Sequence, residues 1–437
     1  MDEHTSSSAS ASASGGPVPF GKEMRKLFNF SDTYRPMNHG SWGTFPRAIM
    51  EERAAHQRAF EARPDVHKYR DTPALIAASR AAVAPLLGAP ADEVVLVPNA
   101  STGVNTVLRN LPFREGDVVI YFSSVYDACR RTVESLAETT PVRGWQVEVE
   151  HPLEDDEVVR RFREGVLAAR AAGQRVLAAD FETVMSLPGG RLPWERLCGV
   201  CKEFGVLSLV DAAHGVGHVD LTRVGEVSPD FLVTNCHKWL FTPRGCAALY
   251  VPKRNQHLIA TNFPTYHAYQ PPAARASMDT NAYFQSLFLD LATLDVSAFF
   301  CLPAAIKWRD EVCGGEDRIR EYCFDLARRG GDRVAQTLGT EVMDNASHSF
   351  RKCCFANVRL PLQVGRDFAE DEAGRVSDYL YDVAMSEFDT YFQIKFDYGH
   401  FWVRLSAQVY LEMEDFEWSG RTLMELCRRV REGKWRS

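Results

Sequence analysis

The stretch that decides the fold is Asn235-Cys236-His237-Lys238-Trp239, and the apolar run Phe231-Leu232-Val233-Thr234 comes directly before it. A second apolar run, Val206-Leu207-Ser208-Leu209-Val210, comes directly before Asp211. Both runs have the length and composition of buried strands. In an open α/β sheet, ligands bind at the carboxyl ends of the strands. We therefore expect Asp211 and Lys238 to face one ligand site from neighbouring strand ends.

Asp211 and Lys238 together are the two groups that a pyridoxal phosphate site requires. A lysine forms a Schiff base with the cofactor aldehyde. An aspartate keeps the pyridine nitrogen protonated, so that the ring accepts electrons from a substrate carbanion. Each residue alone has an ordinary structural interpretation, because a lysine at a strand end is usually solvated and an aspartate there usually caps a turn. Because each residue directly follows an apolar strand, with the aspartate before the lysine along the chain, the pair favours a cofactor site over these structural roles.

The composition is typical of a globular enzyme. The chain has 437 residues, which is long enough for one large core and a second, smaller one. Hydrophobic residues make up 45% and charged residues 25%, and the formal net charge is −8 without a basic run. This balance disfavours binding to nucleic acid or to a membrane surface. No apolar stretch has the length of a membrane span.

The eleven cysteines are scattered and show no metal-ligand spacing, so we expect no metal site. The only C-x-x-C motif, Cys198 to Cys201, falls in an amphipathic helical pattern from Trp194 to Phe204 and favours a packing role. Reduced thiols indicate a cytoplasmic protein. Residues 1–19 are rich in Ser, Ala, Gly and Pro and predict a disordered tail. They lack the apolar core of a signal peptide and the arginines of a mitochondrial presequence.

Strand patterns alternate with helix patterns through the first two thirds of the chain, which predicts a mostly parallel, doubly wound α/β sheet. The segments around residues 35–43 and 254–293 are predicted as loops, the second long enough to be functional. One continuous helix is predicted over residues 297–313. The predicted organisation is a tail at 1–19, an N-terminal segment at 20–60 contributing to a small domain, a large cofactor-binding domain at 61–310, and a small α+β domain at 311–437.

A short polar segment, Pro98-Asn99-Ala100-Ser101-Thr102-Gly103, connects a predicted strand to a predicted helix. Free backbone N–H groups and the helix dipole favour a phosphate at such a position. The alternative is an ordinary helix N-cap at Asn99 or Ser101. Tyr126 follows the next predicted strand, where an aromatic side chain stacks on a flat cofactor ring or simply belongs to the core.

Three segments, in this order, resemble the class V aminotransferase superfamily of fold-type I pyridoxal phosphate enzymes: Asn99-Ala100-Ser101-Thr102, Asp211-Ala212-Ala213-His214 and His237-Lys238-Trp239. Three others are similar to the isopenicillin N epimerase-like branch, to which the fungal hercynylcysteine sulfoxide lyases belong. These are residues 38–43, 243–247 and 403–410. The resemblance covers residues 33–432 and implies the fold-type I architecture, with a large and a small domain.

The resemblance implies three catalytic residues. Lys238 would be the Schiff-base lysine, and Asp211 would pair with the pyridinium nitrogen. His214 would lie near the phenolic oxygen of the cofactor, and Thr183 would lie near the same oxygen.

The resemblance also implies how the remainder of the cofactor and the substrate would be bound. Ser101 and Thr102 would bind the phosphate, with His237 alongside, and Tyr126 would cover the ring. Arg404 would bind the α-carboxylate of an amino-acid substrate, because a guanidinium offers a bidentate fork to a carboxylate. His39, in the segment at 38–43, is the second residue expected at the substrate.

Two segments depart from the family pattern. The family often shows Gly-Thr-x-Asp, whose threonine reaches the phosphate of the other subunit, and here the segment is Ala292-Thr293-Leu294-Asp295. Since fold-type I sites usually lie between two subunits, we expect a homodimer. The sulfoxide lyases often carry Pro-Thr-Ser-His-Gly, and here the segment is Pro264-Thr265-Tyr266-His267-Ala268. These changes would alter the mouth of the pocket and the choice of substrate.

The favoured reaction is β-elimination from a cysteine-derived sulfoxide or thioether, with Lys238 as base. The aromatic loop with Tyr266, His267, Tyr269 and Tyr283 would receive a bulky or cationic S-substituent, or else would pack a dimer contact. The alternatives are an epimerase, a carbon–carbon bond-forming cyclase and a catalytically inactive scaffold. A desulfurase would need a mobile cysteine near the substrate, and Cys353 and Cys354 fall on an apparent strand instead.

Overall fold

The computed structural model describes residues 16–265 and 268–436, so most of the predicted tail at 1–19 lies outside it. The described residues contain ten strands. They are β1 Val94–Val97, β2 Asp117–Phe122, β3 Arg143–Val147, β4 Arg175–Glu182, β5 Leu207–Ala212, β6 Phe231–Asn235, β7 Ala247–Tyr250, β8 Phe355–Arg359, β9 Gln393–Asp397 and β10 His400–Ser406.

The α-helices of the described residues are α1 Lys22–Arg25, α2 His39–Trp42, α3 Arg47–Ala62, α4 Pro64–Val66, α5 Thr72–Val83, α6 Ala100–Asn110, α7 Asp127–Leu136, α8 Asp155–Ala171, α9 Trp194–Phe204, α10 Val224–Val227, α11 Cys236–Trp239, α12 Pro272–Arg275, α13 Thr280–Ser286, α14 Ser297–Phe300, α15 Leu302–Glu311, α16 Glu316–Leu338, α17 Ala373–Phe388 and α18 Met413–Arg431. Short 3₁₀ and π segments join several of them. None of these helices combines the length and the apolar character that a bilayer crossing requires.

The first seven strands form one sheet in the order β1-β7-β6-β5-β4-β2-β3. Strands β3, β2, β4, β5 and β6 run parallel, and β7 is antiparallel to both of its neighbours. Alternate residues of β1 face opposite sides, since Val94 and Leu96 belong to one buried cluster and Val95 and Val97 to another. Helices α8 and α9 pack in the first cluster, and α6 and α7 in the second. The predicted α/β fold with a mostly parallel, doubly wound sheet is confirmed.

The last three strands form a smaller antiparallel sheet in the order β8-β10-β9. Helices α16, α17 and α18 pack with it in a third buried cluster. Met24, Phe28, Met37 and Ile49 of the N-terminal segment belong to the same cluster, so this segment packs with the smaller sheet. The domain boundaries at residues 60 and 310 stay predictions.

Three segments differ from the sequence predictions. The segment at 35–43 contains the one-turn helix α2, and the segment at 254–293 contains α13. The side chain of Asp279 accepts a hydrogen bond from Ala282 N–H at 2.8 Å, so an N-cap begins α13 inside the predicted loop. The continuous helix predicted over 297–313 is divided into α14 and α15 because Pro303 occupies the first turn of α15.

Candidate active site

A cavity of about 770 Å³ lies at the carboxyl ends of the central strands and is closed on one side by α2. Seven of the residues predicted from the sequence line it. They are His39, Ser101, Tyr126, Asp211, His214, His237 and Lys238. The structure thus brings side chains from five separate segments into one cavity.

Lys238 lies on α11, a single helical turn that begins directly after the fully buried strand β6. Its Nζ lies 3.2 Å from His214 Nε2. Burial and, to a smaller extent, the positive charge of Arg404 lower the pKa of Lys238 to about 8, while the charge of Asp211 acts in the opposite direction. The amine is therefore a far better nucleophile and base near neutral pH than an ordinary lysine.

Asp211 is a buried carboxyl at the end of β5. Its Oδ1 accepts a hydrogen bond from Ala213 N–H at 2.8 Å, and its Oδ2 accepts one from the Cys129 thiol at 3.4 Å. Both donors are uncharged. Burial raises the pKa of Asp211, and the Ala213 hydrogen bond and the charge of Lys238 offset only part of that rise. A cationic ring nitrogen is the kind of partner that such a carboxyl lacks.

His214 is buried between Lys238 and Trp239. Its Nδ1 accepts a hydrogen bond from the Trp239 indole N–H at 3.2 Å, and its Nε2 faces Lys238 Nζ. Burial lowers the pKa of His214 well below its usual value, and the charges of Lys238 and Arg404 lower it further. The imidazole is therefore neutral at physiological pH.

The predicted phosphate site is the start of α6. Asn99 caps this helix, since its Oδ1 accepts from both the N–H and the hydroxyl of Thr102, at 2.8 and 3.1 Å. Both donors of Thr102 are thus taken, and Thr102 does not line the cavity. Ser101 is exposed and lines it. Asn235, at the end of β6, accepts from Ala100 N–H at 2.8 Å and ties the start of α6 to the strand that precedes Lys238.

His237 and Tyr126 line the same cavity as the start of α6. His237 Nδ1 donates to the Cys246 carbonyl at 2.9 Å, which fixes the ring orientation beside the cavity. Tyr126 is the N-cap residue of α7, and its side chain is 47% exposed, so it is free to cover a bound ring. Its N–H donates to Glu182 Oε1 at 2.8 Å.

Glu182 is a site residue that the sequence did not single out. It ends β4, lies in register with Asp211 of β5 and lines the same cavity. Burial raises its pKa well above the usual value, and the charges of Asp211 and Asp180 raise it further. The hydrogen bond that Glu182 accepts from Tyr126 N–H holds the start of α7. The sequence signal that could have identified Glu182 as a site residue was its position at the end of an apolar strand.

Arg404 lies behind the cavity wall on β10. Its Nη1 donates to the Ser186 carbonyl at 2.7 Å, and its Nη2 donates to Asn38 Oδ1 at 2.8 Å and to Ser41 Oγ at 3.0 Å. All three acceptors are neutral, and their residues line the cavity. Burial lowers the pKa of Arg404 to about 10, which leaves the guanidinium charged at neutral pH. Its Nε is buried without a hydrogen-bond partner, so the guanidinium has one donor that the described residues do not use.

His39 reaches the cavity from α2. Its Nδ1 lies 2.7 Å from the hydroxyl of Tyr410, and its Nε2 is buried without a partner. Burial lowers the pKa of His39 to about 3, so its ring is neutral.

Several predicted residues of the described chain do not line this cavity. Thr183 is buried, and its hydroxyl has no hydrogen-bond partner. Thr293 is exposed, outside the cavity. Tyr269 and Tyr283 do not line the cavity either, and the Tyr283 hydroxyl donates to the Ala260 carbonyl at 2.8 Å. Tyr266 and His267 lie outside the described residues. The aromatic residues that do line the cavity, besides Tyr126, are Phe30, Tyr34, Trp42, Tyr391 and Tyr410.

The eleven cysteines are all buried and free, and none of them lines the cavity. Cys353 and Cys354 precede β8 and do not lie on it. Over the two described ranges, no group of three or more His, Cys, Asp or Glu side chains is placed to hold a metal ion.

The residues present fit pyridoxal phosphate. Lys238 offers a buried amine for the aldehyde, Asp211 a buried carboxyl for the ring nitrogen, and the start of α6 with Ser101 a place for the phosphate. Tyr126 offers an aromatic face at the open side.

The family model for class-V aminotransferases matches residues 46–359. The L-cysteine desulfhydrase-like protein lolT1 of Epichloe uncinata is 36% identical, over 94% of this chain and 97% of that protein. Hercynylcysteine sulfoxide lyase of Schizosaccharomyces pombe is 28% identical, over 93% and 98%. A solved complex of the cystine C–S lyase C-DES with its product cysteine persulfide has the same fold. It shows a TM-score of 0.72 and 16% identity over 90% of this chain and 98% of that chain.

Proposed function

This chain belongs to the class-V aminotransferase family, and from that premise we propose that it is a carbon–sulfur lyase acting on a cysteine-derived sulfoxide or thioether. Its cofactor is pyridoxal phosphate. The observation that carries the proposal is the buried amine of Lys238, with its lowered pKa, in one cavity with Asp211. The similarity to lyases and desulfhydrases over nearly the whole chain supports the carbon–sulfur reaction.

The cofactor, when bound, provides an electron sink that stabilises negative charge at the substrate α-carbon. Asp211 holds a proton on the ring nitrogen, because a buried carboxylate is stabilised by a cationic partner. Glu182 lies in register with Asp211 on the adjacent strand, and burial, with the charges of Asp211 and Asp180, raises its pKa well above the usual value.

Lys238 acts as the base. Its Nζ, when neutral, has the lone pair that removes the α-proton of the substrate. The electron pair of the Cα–H bond then forms a Cα=Cβ double bond, and the sulfur group leaves Cβ with the pair of the Cβ–S bond, as a sulfenate or a thiolate. Arg404 orients the substrate by binding its α-carboxylate in place of part of its present contacts to Asn38 and Ser41.

The reaction is tested by incubating the holoenzyme with S-substituted cysteine sulfoxides and thioethers. We expect pyruvate, ammonia and a released sulfur species in equal amounts, and none of these from Lys238→Ala. Exchange of the α-proton in deuterated water without pyruvate would instead identify an epimerase. A new carbon–carbon bond in the product would identify a cyclase of secondary metabolism.

We also propose that the enzyme is a homodimer. Leu294, next to Thr293, is 48% exposed, and Phe263 is 74% exposed in a segment whose Thr265 hydroxyl donates to the Asp290 carbonyl at 3.4 Å. A second copy of the chain would bury such apolar side chains. Light scattering should give twice the mass of one chain. If Thr293 reaches the cofactor of the partner subunit, Thr293→Ala should weaken cofactor affinity in the intact dimer. Unchanged affinity would show that Thr293 does not reach the cofactor of the partner subunit, but it would not contradict the homodimer.

A cytoplasmic location is proposed on the state of the cysteines, since all eleven are free thiols and such thiols persist in a reducing compartment. Fractionation of cells that express the tagged chain would test it, and activity confined to an organelle fraction would contradict it.

A further inference from the structure

The imidazole of His214 is held between two consecutive residues of α11. The indole N–H of Trp239 donates to His214 Nδ1 at 3.2 Å, and Lys238 Nζ lies 3.2 Å from His214 Nε2. Adjacent residues of the chain thus contact the two nitrogens of one ring.

The chemistry of these groups determines where the proton of His214 lies. An indole N–H is a donor only, so Nδ1 must accept. A neutral imidazole has one N–H, and this proton is therefore on Nε2 and faces Lys238. An ammonium group has three donors and no lone pair, so it cannot accept from Nε2–H. The arrangement is satisfied when Lys238 is a neutral amine.

The surroundings keep His214 neutral. Burial lowers its pKa well below the usual value. The titratable and charged groups that face His214 or Lys238 from the elements packed around them are His39, Asp211, His218 and Arg404. Of these, only Asp211 favours a cation at Lys238, while the charge of Arg404 disfavours one at both residues.

The indole of Trp239 is itself fixed in place. Its side chain is buried, and the ring of His218 packs against it with a centroid distance of 4.1 Å. The backbone carbonyl of Trp239 accepts from Arg309 Nη1 at 2.7 Å, and Arg309 is paired with Glu316. The N–H of Trp239 is therefore held on His214 Nδ1 by packing from several directions.

We propose that Trp239 is a positioning residue that fixes His214 in the tautomer with its proton on Nε2. His214 is then a hydrogen-bond donor to Lys238 and, once that amine is engaged, to the bound ligand, and it does not act as a base. The catalytic meaning of this inference rests on the proposed function. The tautomer itself is a property of the folded chain and is tested without turnover.

Replacing the indole of Trp239 by a phenyl ring tests the contribution of the indole N–H. Trp239→Phe keeps an aromatic ring but leaves Nδ1 without a donor, so the proton is free to move from Nε2 to Nδ1. Nε2 then accepts a hydrogen bond from the Lys238 ammonium, which stabilises the charged form. One such hydrogen bond corresponds to a rise of about one unit in the pKa of Lys238.

The tautomer is measured by nitrogen-15 NMR of the full-length holoenzyme labelled at histidine, with His214→Gln to assign the signal. We expect an Nε2–H signal for His214 in the wild type and a shift towards Nδ1–H in Trp239→Phe. A wild-type His214 protonated on Nδ1 overturns the proposal, and so does an unchanged tautomer in the variant. The wild-type spectrum tests the proposed tautomer of His214 even if Trp239→Phe does not fold.

The pKa of Lys238 is measured by competitive labelling with acetic anhydride after removal of the cofactor, with mass spectrometry of the peptide containing Lys238. Trp194→Phe, at another buried tryptophan in α9, is the matched control and should leave the pKa of Lys238 unchanged.

A double-mutant cycle separates the tautomer from packing. A leucine at position 214 neither donates nor accepts a hydrogen bond, so it has no tautomer or amide orientation for Trp239 to fix. Adding Trp239→Phe to His214→Leu should therefore leave the pKa of Lys238 unchanged. An equal rise on both backgrounds would show that Trp239 acts only through packing and would overturn the proposal. If His214 shows the expected tautomer and no β-elimination is detected, the proposed reaction is refuted and the inference about Trp239 is not.

Discussion

The floor and the rim of the cavity are built in different ways. The floor, which we define as Asp211, His214 and Lys238, comes from the ends of adjacent strands, and each of its side chains has a partner within 3.5 Å. The rim, which we define as Trp42 and Tyr126, comes from the one-turn helix α2 and from the residue that precedes α7, and its side chains are 72% and 47% exposed. A fixed floor suits chemistry shared by a family, and an exposed rim suits the selection of one substrate.

The reason for the difference lies in what surrounds each part. Strands β5 and β6 are buried on both faces, so the residues at their ends cannot shift without moving the sheet. The rim residues have solvent on one side, and their replacement leaves the packing of the sheet unchanged. Substitutions in the floor should therefore change the rate for every substrate, and substitutions in the rim should change the preference among substrates.

The largest effect is expected for Lys238→Ala. Turnover should fall by about four orders of magnitude or more, because the variant has lost both the group that binds the cofactor covalently and the base. The visible absorption band of the lysine-bound cofactor should disappear, while the circular dichroism of the fold is retained. Lys253→Ala, at an exposed lysine paired with Asp92, is the control and should retain full activity. A variant at 238 that keeps the band and the turnover would show that Lys238 does not hold the cofactor.

The next largest effect is expected for Asp211→Asn. The amide keeps the shape of the side chain but cannot balance a positive charge on the ring nitrogen. Turnover should fall by about 10²–10³-fold, as for the loss of one strong electrostatic contact at the reacting group, while cofactor affinity falls much less. Equilibrium titration with the cofactor and steady-state kinetics measure the two effects. If affinity and turnover fall by the same factor, Asp211 has a structural role.

The pH dependence of cofactor capture should follow the lowered pKa of Lys238, which is about 8. Only the neutral amine attacks the aldehyde, so the rate of capture by the cofactor-free protein should rise about tenfold per pH unit below that pKa and level off above it. Stopped-flow absorbance from pH 6 to pH 10 measures the profile. A rise that continues to pH 10 would mean that the amine has an ordinary lysine pKa.

The floor was largely predictable from sequence, because a strand end fixes the position of a side chain that follows it. The apolar runs before Asp211 and Lys238 were sufficient to place both residues at one edge of the sheet. The role predicted for Arg404 came only from family resemblance. Its contacts to Asn38 and Ser41 join residues separated by 366 and 363 positions, and no local pattern encodes such contacts.

Other features had a local signal that the sequence predictions omitted. Strand β9 alternates polar and apolar residues, which is typical of a strand with one buried face. Helix α7 buries Cys129, Thr132, Val133 and Leu136, which is the spacing of an amphipathic helix. The contact between Trp239 and His214 had no such signal, since it depends on how α11 packs against the turn after β5.

The smallest effect, and the most selective one, is expected at the rim. Trp42 lines the cavity, yet its side chain is largely exposed, so Trp42→Ala should change the free energy of unfolding by about 0.5 kcal/mol or less. The neighbouring Ser41, which accepts from Arg404, is left in place. Loss of one aromatic face is worth about 1 kcal/mol of contact with a bulky S-substituent, which corresponds to about a fivefold rise in KM.

The comparison of two substrates makes this prediction decisive. With an S-benzyl cysteine sulfoxide, Trp42→Ala should raise KM and leave kcat unchanged, because the ring contacts the substituent and not the reacting atoms. With the S-methyl analogue, both constants should stay at the wild-type values. Met50→Ala, at an exposed apolar residue of α3 outside the cavity lining, should alter neither substrate. An equal change for both substrates would place Trp42 in the general architecture of the cavity and would remove the distinction between a catalytic floor and a selective rim.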